Sequence, residues 1–328
     1  LQAFSLILGR LITISQSTMP PTPTITSGLT PSIVSRYSAF ILDQYGVLHD
    51  GAKPLPGAVD AIKHLKAANK KLAILSNTSA SSDSCLDRLY GKLGFPQASF
   101  DVAITSGGEC SKYFSSRPAK QDGTPTKVML FTWSGEEATI KTTQFIDSLG
   151  NIEITSDPDA ADVAISHGSD VVLESIEKLG KSTADSKFDL GKLRTECTYE
   201  CLDPYLKALS DRKVPMFSAN PDLKVVTPSN EISYMPGVIC KRYESEFNGE
   251  VTYFGKPHRE HFLACKTALG IDSDDLICHV GDSLHHDILG ANAAGISSVF
   301  VGSGIHRDEC MKDGEVDEAM VMAMIEKE

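Results

Sequence analysis

Short apolar runs that stop on a polar residue or a glycine, each followed by a helical pattern, constrain this chain more than any other feature. The first is Ala39-Phe40-Ile41-Leu42, which delivers Asp43 before Gly46 lets the chain turn sharply. Residues 58–69 then place Val59, Ile62, Leu65 and Ala68 on one helical face. A second run, 71–75, ends at Ser76-Asn77-Thr78-Ser79; a helix is expected over 83–93, and a strand over 101–105 ends at Ser106-Gly107-Gly108. Far along the chain, Ile277-Cys278-His279-Val280 runs into Gly281-Asp282-Ser283. The helix that follows carries Ile288, Leu289, Ala291 and Ala294, stops at Gly295, and leads to a last strand at 298–301. Alternating strands and helices predict an α/β protein with a parallel, doubly wound, Rossmann-like sheet.

The pattern restarts in the middle, with strands expected at 128–133, 163–166 and 214–217 and helices at 136–149 and 198–210. No run of acids stands at these strand ends. Residues 110–216 therefore read as an inserted α/β domain, splitting a core of 36–109 and 217–310. The polar stretch 181–194 reads as a loop, and Gly107-Gly108 as a hinge or turn, since no full glycine-rich phosphate signature surrounds it. Residues 311–328 form an acidic tail without readable chemistry.

The N-terminus needs composition to interpret. No Asp or Glu precedes Asp43, whereas Arg10, Arg36 and many Ser and Thr do. Residues 1–35 read as a leader or disordered N-terminus: either an organellar transit peptide begins it, or residues 1–18 lie ahead of a start at Met19. The protein is expected in the cytoplasm, or in a mitochondrion or plastid if that leader is a transit peptide. A net charge of -12 disfavours nucleic acid and anionic membrane as partners. The 8 Cys lack the density of a disulfide framework, and Cys197 and Cys201 have no second pair to complete a zinc site.

The strand ends carry the chemistry. In a parallel sheet the ends bearing Asp43, Ser76, Lys256 and the pair Asp282 and Asp287 lie on one edge. Carboxylates and water make a hard oxygen site suited to Mg²⁺. The Ser76 hydroxyl and nearby backbone N–H groups suit phosphate oxygens, and Lys256 neutralises charge. Together they suggest phosphoryl transfer to a carboxylate. His258 and His261 have zinc-like spacing but no third ligand. His285 and His286 read as surface, and Trp133 as core.

The order D-x-x-G-V-L, S-N at a strand end, G-K-P and G-D-S-x-x-x-D resembles the haloacid dehalogenase superfamily. It is most similar to the capped class IIA phosphatases, which include sugar-phosphate, nitrophenyl-phosphate and phosphoglycolate phosphatases, and the likeness spans about 37–307. The resemblance implies Asp43 as the nucleophile forming an aspartyl-phosphate, and Mg²⁺ held by Asp43, the Tyr45 backbone carbonyl and Asp282, with Asp287 on a metal-bound water. Phosphate would meet Ser76, Asn77, Thr78, Asn220 and Lys256. The expected substrate is a small phosphorylated metabolite, and caps of this kind are compatible with a homodimer. The departure is Tyr45, where these phosphatases usually carry a second Asp as general acid and base. A tyrosine there resembles the metal-independent dehalogenases, so a dehalogenase and a weakly active phosphate-binding relative stand beside the phosphatase.

Overall fold

The computed structural model describes residues 11–14, 24–26, 28–117, 120–179, 188–227, 229, 231–312 and 315–325. Its sheets are built from β1 (Leu11–Ile14), β2 (Thr24–Thr26), β3 (Ala39–Leu42), β4 (Lys71–Ser76), β5 (Val102–Thr105), β6 (Thr126–Thr132), β7 (Ile152–Ile154), β8 (Val163–Ser166), β9 (Val171–Val172), β10 (Met216–Ser218), β11 (Lys224–Val226), β12 (Ile232–Tyr234), β13 (Val251–Tyr253), β14 (Ile277–Gly281) and β15 (Ser297–Val301). The chain divides into two compact units. The first holds Leu1–Ser76, Cys85–Ile104 and Lys256–Glu328; the second holds Asn77–Ser84 and Thr105–Gly255.

The first sheet runs β2-β1-β15-β14-β3-β4-β5. Strands β15, β14, β3 and β4 are parallel, as alternation with helices requires. Every residue of β3 is buried because both sheet faces are covered. Phe40 and Leu42 pack with Ile62 and Leu65 of the helix Ala58–Ala67, and Ile41 packs on the opposite side with Phe262 and Cys265 of the helix Arg259–Leu269. The chain winds from β3 to β4 and β5 on one side and returns through β14 on the other. The winding direction therefore reverses between β3 and β14, where open α/β sheets leave a crevice at the carboxyl ends.

The second sheet runs β13-β10-β8-β6-β7, all parallel, with β9 antiparallel to β6. Its faces are covered by Phe145 and Ile146 of the helix Glu136–Ser148 on one side, and by Leu206, Leu209, Ile239 and Tyr243 of Asp203–Asp211 and Gly237–Phe247 on the other. The unit extends beyond the expected 110–216: β13 pairs with β10 in parallel register, Met216 to Val251, so 217–255 fold with this sheet.

Three stretches differ from expectation. Gly107-Gly108, expected as a hinge or turn, form the first turn of the helix Ser106–Ser116, capped by Thr105, whose Oγ1 accepts the Gly108 N–H at 3.0 Å. A Cβ on Gly107 would fall 2.0 Å from the Ser79 carbonyl oxygen, so the close approach requires glycine. Much of 1–35 and of 181–194 lies outside the described residues. Within 1–35, however, β1 pairs antiparallel with β15, and Leu29 and Ile33 are buried in the first unit's core. The helix Pro31–Arg36 has an N-cap Thr30 and a proline in its first turn, two start signals that a leader reading passes over. The tail is likewise packed: Cys310, Val316, Val321 and Met324 join Leu284, Ile288 and Phe300 in one apolar cluster.

Candidate active site

Asp43 follows β3 and Asp282 follows β14, and the two strands are neighbours with Leu42 opposite Val280. The Asp43 N–H donates to the Val280 carbonyl at 2.9 Å, which carries the strand pairing to the carboxylate itself. Asp43, Asp282 and Asp287 are all buried, and each offers an oxygen within 4.8 Å of those of the other two.

Lys256 is the counter-charge. Its Nζ lies 2.7 Å from Asp43 Oδ1 and 2.7 Å from Asp287 Oδ1. Asp287 also accepts from His279 Nε2 on Oδ1 at 2.8 Å and from the Ser283 N–H on Oδ2 at 3.0 Å. Asp282 Oδ2 accepts the Ile305 N–H at 2.8 Å. Its carboxylate is walled by two glycines, since a Cβ on Gly46 or Gly304 would fall 1.9 or 2.1 Å from Asp282 Oδ2. Gly46 also has φ +80°, a left-handed conformation that disfavours any side chain.

Three carboxylates and one ammonium leave the cluster short of positive charge, and the acid strengths show it. Burial pushes Asp43 up to about 6, against the pull of Lys256. Burial, then the charges of Asp43 and Asp287, holds Asp282 well above the usual carboxylate range. Asp287 is also penalised by burial, but Lys256 and His279 outweigh it and hold its carboxyl low. Burial acts against the Lys256 charge, yet Asp287 and Asp43 keep it above the ordinary lysine value. A divalent cation coordinated by oxygen would supply the missing charge, and the donor set fits one.

Ser76 closes β4, the strand beside β3, and is buried on the same sheet edge. Asn77, Thr78 and Asn220 belong to the second unit and are held there by local bonds. Asn77 Nδ2 donates to Asp222 Oδ1 at 2.9 Å, and Asn220 Oδ1 accepts the Asp222 N–H at 3.0 Å. The Thr78 carbonyl accepts from Ser106 Oγ at 3.0 Å.

Tyr45 is half-buried, and burial raises its phenol above the usual tyrosine value. Its ring meets His49 edge-on, with centroids 5.9 Å apart, and covers Gly51, where a Cβ would lie 2.9 Å from the ring. His49 Nδ1 accepts the Gly51 N–H at 3.0 Å, so this imidazole carries its proton on Nε2, near Gln44 Oε1. The loop after Asp43 is thus a packed flap. His279 was legible only as part of an apolar strand. Its signal was a polar residue inside a buried run, which needs a partner.

The family model for haloacid dehalogenase-like hydrolases matches residues 40–146, and a HAD-hydrolase-like model matches 253–326. Human chronophin is 23% identical over 279 residues, covering 84% of this chain and 85% of chronophin. The 4-nitrophenylphosphatase of Schizosaccharomyces pombe is 24% identical over 286 residues, covering 84% and 87%. Among solved structures, a haloacid dehalogenase-like hydrolase from Brucella suis aligns with a TM-score of 0.64 at 20% identity, over 84% of this chain and 92% of that one. With both models matched in order on this fold, the chain belongs to the haloacid dehalogenase-like hydrolases.

Proposed function

We propose that this phosphoric monoester hydrolase cleaves small organic phosphate monoesters through an aspartyl-phosphate on Asp43. The observation that carries the reading is the Asp43–Lys256–Asp287 chain of contacts beside Asp282, at the sheet's winding reversal. An Asp43 oxygen bonds to phosphorus as the bond to the leaving alcohol breaks, and water then attacks the acyl-phosphate to release inorganic phosphate. Lys256 stays charged and holds the nucleophile by Oδ1. The Ser76 hydroxyl, on the same sheet edge as Asp43, binds a phosphate oxygen. Asp43, Asp282 and the Tyr45 carbonyl would hold Mg²⁺, with Asp287 acting through water because its oxygens already accept three donors. When bound, the ion would neutralise charge on the phosphate.

Tyr45 is the specific reason to keep a second reading. A phenol raised by burial can give a proton to a leaving group but is a poor base near neutral pH. A dehalogenase needs no such acid. Release of phosphate from p-nitrophenyl phosphate and a panel of sugar phosphates, with Mg²⁺ and with chelator, tests the proposal. Mg²⁺-dependent release is expected. Halide release from 2-haloacids that survives chelation would replace it with the dehalogenase, and tight ester binding without turnover with a binding protein. Tyr45→Asp is expected to raise turnover by about tenfold or more, within the range of general acid–base help; a complete loss would give the tyrosine its own role.

A further inference from the structure

We infer that His279 is a positioning residue for the phosphoryl-transfer centre: through Asp287 it fixes the Lys256 ammonium against the nucleophile. The inference rests on the phosphatase reading for its activity readout. His279 lies on β14, three residues before Asp282, and is fully buried. Its neighbours Cys278 and Val280 face one apolar cluster, while Ile277, on its own side, packs in the layer of Phe262, Cys265 and Leu269. The His279 ring meets Phe262 edge-on at 5.0 Å. An apolar side chain would fill that layer without polar atoms to satisfy.

The imidazole brings a cost, because Nδ1 has no partner among the described residues. What it supplies is one donor, Nε2–H, to Asp287 Oδ1 at 2.8 Å. The same oxygen accepts from Lys256 Nζ at 2.7 Å, and that Nζ is 2.7 Å from Asp43 Oδ1. Asp287 is pinned from a third direction by the Ser283 N–H on its other oxygen. Remove the His279 donor and Oδ1 of Asp287 keeps only the Lys256 contact, with the Ser283 N–H on Oδ2 as the one anchor left behind it. Lys256 then loses its fixed aim at Asp43. Donors behind a catalytic group act in this way, and their removal typically costs 10–100-fold in activity.

The test compares His279→Gln, whose side-chain amide can reach Asp287 as a donor, with His279→Asn, which is too short, and His279→Leu, which has none. Turnover of p-nitrophenyl phosphate with Mg²⁺ is measured beside thermal unfolding. Expected are a kcat lowered about 10–100-fold in the Asn and Leu variants with KM little changed, and recovery to within a few-fold in the Gln variant. Equal kcat in folded Gln and Asn variants would overturn the inference, as would losses that track unfolding temperature alone. Should the variants not fold, nitrogen-15 spectra of the wild-type histidines decide. A proton on His279 Nε2 sustains the inference, and a proton on Nδ1 alone ends it. Absence of wild-type phosphatase activity would strike the functional reading instead, and the spectrum would still report on His279.

Discussion

Asp282 shows how much of this site is made by residues that carry no chemistry. Its carboxylate fits because Gly46 and Gly304 leave space where a methyl group would overlap it. Gly304→Ala should therefore displace Asp282 and lower Mg²⁺-dependent turnover by at least tenfold, with unfolding at most a few degrees lower; unchanged activity would mean the 304 loop yields freely. Asp43 allows a cleaner test, since its carboxylate is raised to about 6, above its unfolded value, by burial among like charges. A raised carboxyl favours the fold at low pH and opposes it as pH rises through about 6. With Mg²⁺, Asp43→Asn should lose all turnover; in chelator the same variant should gain on the order of 1–3 kcal/mol of stability at pH 8. That gain should vanish by pH 4, and thermal unfolding at the two pH values reads it directly. A gain that persists at pH 4 would assign the effect to packing. Asp43 and Asp282 could be recognised in the sequence because each ends an apolar run, whereas the glycine walls could not, since they are defined by atoms far away along the chain.

At the scale of elements, the flap from Tyr45 to Pro54 is the least conventional part of the structure. It has no regular strand pairing, only isolated bridges between Tyr45 and His49 and between His49 and Pro54. Packing holds it: His49 is buried beneath it, and Arg88 donates to the Gly51 carbonyl. Burial, with the Arg88 charge, lowers His49 to about 4. A depressed histidine stabilises the fold above its unfolded value near 6.5 and loses that contribution as pH falls toward 4. Protection of the Gly51 amide, which donates to His49 Nδ1, should therefore decline between pH 6.5 and 4 once intrinsic exchange is divided out. Asp43 acts with the opposite sign in the metal-free protein, so a decline confined to the flap separates the two. Protection that is flat across this range would mean His49 is not the flap's anchor. The glycines and prolines between 46 and 57 mark this stretch of the sequence as turn-rich. They do not announce that Tyr45 packs onto Gly51, because a ring's direction depends on the fold beneath it.

For the whole molecule, the sequence conveyed that a second α/β unit interrupts the first, and erred on its extent. The strands 216–218 and 251–253 are both only three residues long, and their mutual pairing is what assigns both to the second sheet. Such pairing joins residues over thirty positions apart and leaves no local trace. The packed tail escaped for the same reason, whereas the helix 31–36 did carry local start signals and only the burial of Ile33 was out of reach. The division has a thermodynamic consequence. Two units with separate cores need not unfold as one. All three carboxylates and Lys256 belong to the unit containing Leu1–Ser76 and Lys256–Glu328. Mg²⁺ binding should therefore raise only the transition of that unit, by about 2.7 kcal/mol at a hundred times its dissociation constant. Because the ion requires carboxylates and Asp43 and Asp282 are raised, affinity should weaken as pH falls below about 6, with protons released on binding. Scanning calorimetry at pH 7.5 and pH 5, with Mg²⁺ and with chelator, reads both effects. The expected record is one transition that moves with Mg²⁺ at pH 7.5 and barely at pH 5, beside one that stays fixed. A single transition moving as a whole would show that the two units unfold together, and no movement at either pH would show that the carboxylate cluster does not take the ion.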